Sequence, residues 1–168
     1  MRLSRSRGLE GWFSGLYVAL LAACLLLGPV VHAMEMNDLT EKLPRAYVGE
    51  FRWDGDAVVQ NVVITFEQVR SLDERNAEAL GCGVYEDGRQ VTKIKVRMFV
   101  RLSDRQVEIF ERSPDGTASF ETGGSHRGTL SEDLQGIDAQ WTTSDSGRRG
   151  QLHLRAASSA TCAPATSL

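Results

Sequence analysis

The sequence holds little of the chemistry from which most enzymes are built. It has three histidines and three cysteines in 168 residues, and one of each, His32 and Cys24, falls in an N-terminal leader. That leaves His126 and His153, 27 positions apart, and Cys82 and Cys162, 80 apart. Neither separation is a metal-ligand spacing. There is no Gly-x-Ser-x-Gly elbow, no phosphate-cradling glycine loop and no nucleophile signature beside either histidine. Both histidines read as surface residues, His153 on the outer face of the last strand and His126 in a glycine-rich loop. The acidic pairs Asp54/Asp56 and Glu132/Asp133 sit in turn or loop settings, where carboxylates cap and solvate. No catalytic residue, metal or cofactor is expected.

Long apolar runs are equally scarce, and the exception lies at the start. Arg2, Arg5 and Arg7 precede Leu16–Leu27, which is short for a membrane span. Gly28-Pro29 then breaks any helix, and Val31-His32-Ala33 offers compact residues for cleavage. Residues 1–33 therefore read as a signal peptide, with Met34 the first mature residue. Two alternatives stay open: a lipoprotein anchored through Cys24, since Leu21-Ala22-Ala23-Cys24 resembles a lipobox, or an uncleaved anchor. No twin-arginine pair precedes the run, so export of a folded, cofactor-loaded protein is not indicated. A periplasmic or secreted protein is expected, with no membrane span in its mature form.

The leader carries three arginines and one glutamate, so the remainder has 16 basic and 21 acidic residues. Net acidity favours solubility and argues against a general polyanion binder, nucleic acid included. Two cysteines in an exported chain most often pair. A Cys82–Cys162 bridge would be worth roughly 4–5 kcal/mol in the loop-entropy model. The alternative is a buried Cys82 and a stray tail Cys162.

What remains is alternation. Proline is rare, at four, and glycine frequent, at 16, mostly in turn-like settings, as an all-β chain requires. After a lead-in over 34–46, stopped at Pro44, the residues Tyr47, Gly49, Phe51 and Trp53 share one strand face. Residues 57–69 put Val58, Val62, Ile64 and Phe66 on one side. Residues 77–86 carry Gly81-Cys82-Gly83, which marks a bulge, a bend or a close backbone approach. Ile94, Val96, Met98, Val100 and Leu102 alternate with charged residues and face Val107 and Ile109 across a turn at Ser103-Asp104. Another turn at Ser113–Gly116 and a short strand around Ala118–Thr122 lead into Arg127–Leu130. The clearest hairpin closes the chain: Ile137, Ala139, Trp141 and Thr143 share one face, and Leu152, Leu154 and Ala156 another. Period two is the mark of half-buried antiparallel strands. About eight of them predict a meander closing into a small barrel over 47–156, with a two-sheet sandwich as the alternative and a loose tail over 157–168.

Tyr47-x-Gly49-x-Phe51-x-Trp53, Gly81-x-Gly83-x-Tyr85 and the final Gly128 to Leu154 pattern resemble small lipocalin-like (calycin) barrels. Such barrels begin with a Gly-x-Trp strand whose tryptophan closes one end. Here Phe51 follows Gly49, and Trp53 comes two residues later on the same face. The resemblance implies a basic residue stacked on that tryptophan from the last strand, with Arg155 as the candidate.

Two binding readings follow. A lipocalin-like barrel would hold a small apolar or amphipathic ligand, with Phe51, Trp53, Tyr85 and Trp141 as walls; Phe66 and Phe120 are further inward aromatics. A solid barrel would instead meet an envelope protein or polyanionic glycan. Its contacts would be loops such as Thr122–Arg127, or the outward stripe of Lys93, Lys95, Arg97 and Arg101. The bland reading of that stripe is a solvated face, with Glu108 answering Arg97 across the hairpin diagonal and Phe110 covering its stem.

Overall fold

The wall of this molecule alternates as its sequence does. A computed structural model describes residues 36–88, 90–113, 123–143 and 147–162. Met34–Leu168 forms one compact unit; the leader lies outside the described residues. A short helix α1 (Met36–Lys42) precedes eight strands: β1 (Ala46–Trp53), β2 (Val59–Ser71), β3 (Asn76–Glu86), β4 (Val91–Arg101), β5 (Gln106–Arg112), β6 (Gly124–Leu130), β7 (Gly136–Thr143) and β8 (Arg149–Ala156). Each pairs antiparallel with the next, and β8 returns to β1, with Phe51 opposite Leu152. The sheet is thus a closed barrel. Closure leaves no edge strand, which a two-sheet sandwich would have had to protect.

Register follows from the apolar faces. Val100 lies opposite Val107 and Met98 opposite Ile109, so both apolar sets point inward; a slip of one residue would expose them all. The chain reverses through Leu102–Arg105, where Arg105 takes a positive φ of 54°. The closing hairpin likewise buries Ile137, Ala139, Trp141, Leu152 and Leu154. Of its loop, residues 144–146 lie outside the described residues, as do the turn and short strand expected over 114–122, Phe120 among them.

One end of the barrel is closed. Leu39 of α1 and Leu43 just after it join the core. Below them the Tyr47 hydroxyl donates to the Leu134 carbonyl at 2.8 Å, in a loop where Leu134 itself has φ 63°. Burial, with the Asp133 charge adding to it, pushes the Tyr47 phenol well above its ordinary range. Tyr47, rather than Trp53, is the aromatic of β1 at this end.

The sequence placed three features differently. Strand β2 begins at Val59 and runs on to Ser71, leaving Val58 half exposed; the charged stretch 70–76 is mostly strand and a tight turn whose amides bond Asp73. The ladder irregularity lies between Phe66 and Gln68 on β2, opposite the Gly81 region. Gly81 is a close approach: a Cβ there would collide with the Thr65 carbonyl oxygen. Finally, Gly123–Arg127 is no loose loop, because β6 starts at Gly124.

The tail is held. Cys82 and Cys162 form a disulfide, and the Cys162 amide donates to Thr65 Oγ1 at 3.0 Å. The tail is thus pinned to β2 and β3 at Cys162.

Candidate functional site

At the end opposite α1, five strands deliver one inward residue each to a single cluster. Strand β1 brings Phe51, with Trp53 at the rim; β3 brings Tyr85, β5 Glu111, β6 His126 and β7 Trp141. The four residues expected as ligand walls do come together. Phe51 meets Trp53 edge-on at 4.8 Å between centroids and Tyr85 at 5.8 Å, and Trp53 meets Trp141 at 4.9 Å. Glycines make room for two of them. A side chain at Gly150 would strike the Phe51 ring, and one at Gly124 the Trp141 ring. Phe51, Tyr85 and Trp141 are each 3% exposed, so only Trp53 reaches the surface. Arg148, just before β8, lies over the Trp53 ring at 4.0 Å. Arg155 sits instead at the other end, against Gly136. A cation does stack on Trp53, but it comes from the residue before β8 and not from the last strand itself, and Arg155 is not that residue.

Beneath the aromatics lies a polar group that sequence reading missed. The Tyr85 hydroxyl donates to Glu111 Oε1 at 2.6 Å, and His126 Nε2 lies 3.1 Å from Glu111 Oε2. His126 is 1% exposed and Glu111 6%. His126 is therefore a barrel-interior residue and not the surface histidine expected. Its misplacement came from starting the strand at Arg127; started at Gly124, the alternation His126, Gly128, Leu130 puts it inward. Glu111 likewise continues the series Val107, Ile109 by two more positions. His153 is on the outer face as expected, paired with Asp138 at 2.7 Å.

The electrostatics are those of a buried acid held by donors. Burial, then the Glu111 charge and its hydrogen bond, push the Tyr85 phenol well above its ordinary range. Tyr85 is thus a neutral donor at any physiological pH. With His126 Nε2 also set against Glu111 Oε2, both carboxylate oxygens are engaged, and the other ring nitrogen, Nδ1, is turned away from the acid. That atom is buried and has no hydrogen-bond partner among the described residues. Phe51 stands edge-on to the same ring at 5.6 Å. An unpaired polar atom in an apolar shell is costly, and native cores seldom keep one without a reason.

The outer wall differs from expectation in its pairing. Arg97 answers Glu78, not Glu108: its Nε lies 2.5 Å from Glu78 Oε1, while Arg70 holds the other oxygen. Burial raises the Glu78 carboxyl, and the hydrogen bonds and charges of the two guanidiniums more than offset it, holding it below the ordinary carboxylate range. Glu108 bonds Arg127 and Ser125. Arg101 pairs with Asp104. Phe110 does lie opposite Arg97, whose guanidinium also covers Phe99 at 4.5 Å. A cleft of about 470 Å³ beside Phe99 is lined by Arg101, Glu108 and Arg127, whose charges are thus engaged. Among the described residues no group of His, Cys, Asp and Glu is arranged to hold a metal, and no helix is long and apolar enough to cross a membrane. Neither a family model nor a curated protein matches the chain.

Proposed function

We propose that the chain is an exported binding protein of lipocalin-like build that takes one small amphipathic molecule at the aromatic end of its barrel. The observation that carries this reading is the Nδ1 of His126, buried beside Phe51 and without a hydrogen-bond partner among the described residues. A buried polar atom without a partner is where a ligand's polar end gains most, because it removes a desolvation cost already borne by the protein. The ligand therefore carries at one end a polar group that hydrogen-bonds Nδ1, and an apolar body that rests among Phe51, Tyr85 and Trp141. The rim above this cluster is formed by Trp53 and Arg148, whose guanidinium lies over the Trp53 ring.

Export rests on the leader anatomy and agrees with the disulfide, since such bonds persist in oxidising compartments. No catalytic role is assigned: Tyr85 and Glu111 bond each other, and His126 is a buried hydrogen-bond partner of both.

The test is mass spectrometry of the protein recovered from its native host, sprayed first under native and then under denaturing conditions. An added mass that survives the first and leaves in the second is expected, and His126→Leu should abolish it while Phe99→Leu, on the outer wall, should not. A bare native mass, together with tryptophan emission indifferent to a panel of apolar alcohols and amines, refutes the ligand reading in favour of the solid barrel.

A further inference from the structure

We propose that the outer wall formed by β4 and the end of β5 is a docking surface for an anionic lipid membrane. The proposal does not depend on the interior ligand. It starts from an arrangement that fold stability alone does not favour. Lys95 and Arg112 lie directly opposite each other on paired strands, and like charges so placed repel. Both are exposed, as is Lys93 two residues along β4, and none of the three forms an ion pair among the described residues. Glu86, diagonal to Lys93, makes no ion pair either, and Glu78 is shared between Arg70 and Arg97. This wall is thus strongly positive on a mature chain that is acidic overall.

The same wall is also apolar. Phe110 is 37% exposed and Val91 58%, and Phe110 meets Phe99 edge-on at 6.0 Å. Lys93, Lys95 and Arg97 run along the wall at every second residue, over about 13 Å of strand. Phe110 lies beside them across the pair. A row of long cationic side chains flanking the exposed Phe110 ring, with Phe99 half-buried beside it, suits a headgroup layer, which accepts charge at phosphate depth and rings just beneath. An acidic protein would match the charge but leave unexplained why Phe110 stands exposed among these cations. The expected stripe is redrawn accordingly. Lys93 and Lys95 remain and Arg112 joins them. Arg97 is bound to Glu78, and Arg101, paired with Asp104, lies at the far end of β4.

Flotation of the purified full-length protein with vesicles tests this. Vesicles of equal phosphatidylglycerol and phosphatidylcholine should carry the protein at low salt, and pure phosphatidylcholine vesicles should carry far less. Each surface cation contributes about fivefold to such binding, so Lys95→Ala with Arg112→Ala should weaken it about 30-fold. Arg101→Ala should leave it unchanged, and far-ultraviolet spectra would confirm that each variant is folded. Equal binding to both vesicle types overturns the proposal, as does binding indifferent to the double substitution. Absence of vesicle binding, with Lys95- and Arg112-dependent retention on soluble polyglutamate, also overturns it and points to an acidic macromolecule instead.

Discussion

Replacing Tyr85 by phenylalanine tests whether the buried acid is a structural unit. The substitution removes one oxygen and leaves the ring, so it opens almost no cavity. What it removes is a 2.6 Å hydrogen bond to Glu111 Oε1 in a site 6% exposed or less. A bond to a charged group contributes about 1.5–3 kcal/mol net, and stranding the acceptor incurs a desolvation cost of similar size. The apolar gain from losing a hydroxyl is smaller, so the loss wins. About 2 kcal/mol of destabilisation is expected, which for a domain of this size lowers Tm by roughly 6–10 °C. Thermal and urea unfolding of Tyr85→Phe, Glu111→Gln and the double variant supply the assay, with a coupling of at least about 1 kcal/mol expected between the two sites. The pH dependence adds a sign. The Tyr85 phenol is raised in the folded state, so its contribution is complete below the unfolded value near 10 and is lost as pH rises beyond it. Wild type and Tyr85→Phe should therefore converge above about pH 10, while Tyr47, raised in both, continues to destabilise each. A Tyr85→Phe variant within about 0.5 kcal/mol of wild type at pH 7 would refute the reasoning, because a ring that merely fills space loses nothing with its hydroxyl.

Other expectations follow from the wall and the tail. Cys82→Ala with Cys162→Ala opens a link spanning 80 residues and should cost about 4 kcal/mol, read as a fall in urea midpoint that reducing agent reproduces in the wild type. Glu78 has its carboxyl held low by Arg70 and Arg97, so its stabilisation is present above the unfolded value near 4.5 and fades as pH falls below it. Glu78→Gln should accordingly lose less stability than wild type between about pH 5 and pH 3, measured by urea titration at each pH. Gly81→Ala forces a Cβ into the Thr65 carbonyl and should destabilise by about 2 kcal/mol or more, checked by Tm; a neutral result would mean that the β2–β3 ladder can shift there.

Local alternation settled much of this protein before any tertiary contact was known. The number of strands, their antiparallel order, the hairpin register of Met98 on Ile109 and the inward set of Phe51, Tyr85 and Trp141 are all readable in the sequence. Side-chain direction in a strand is a property of the chain itself, two residues per repeat. The cysteine pair was legible for a different reason, since two thiols in a chain whose leader reads as an export signal are expected to pair. The polar centre was not legible. Glu111 and His126 lie 15 positions apart on strands joined through residues outside the described structure, and a carboxylate and an imidazole ordinarily stay near water. Only barrel closure, which carries β5 and β6 round to face β1 and β3, puts them against Tyr85 and beneath Phe51. The same holds on the outside. Which carboxylate answers Arg97 depends on strand β3 lying beside β4 with Glu78 at the right height, and no spacing within the hairpin contains that information. Period and turn chemistry act along the chain, whereas partner choice among charges and the burial of polar atoms arise from strands brought together across it.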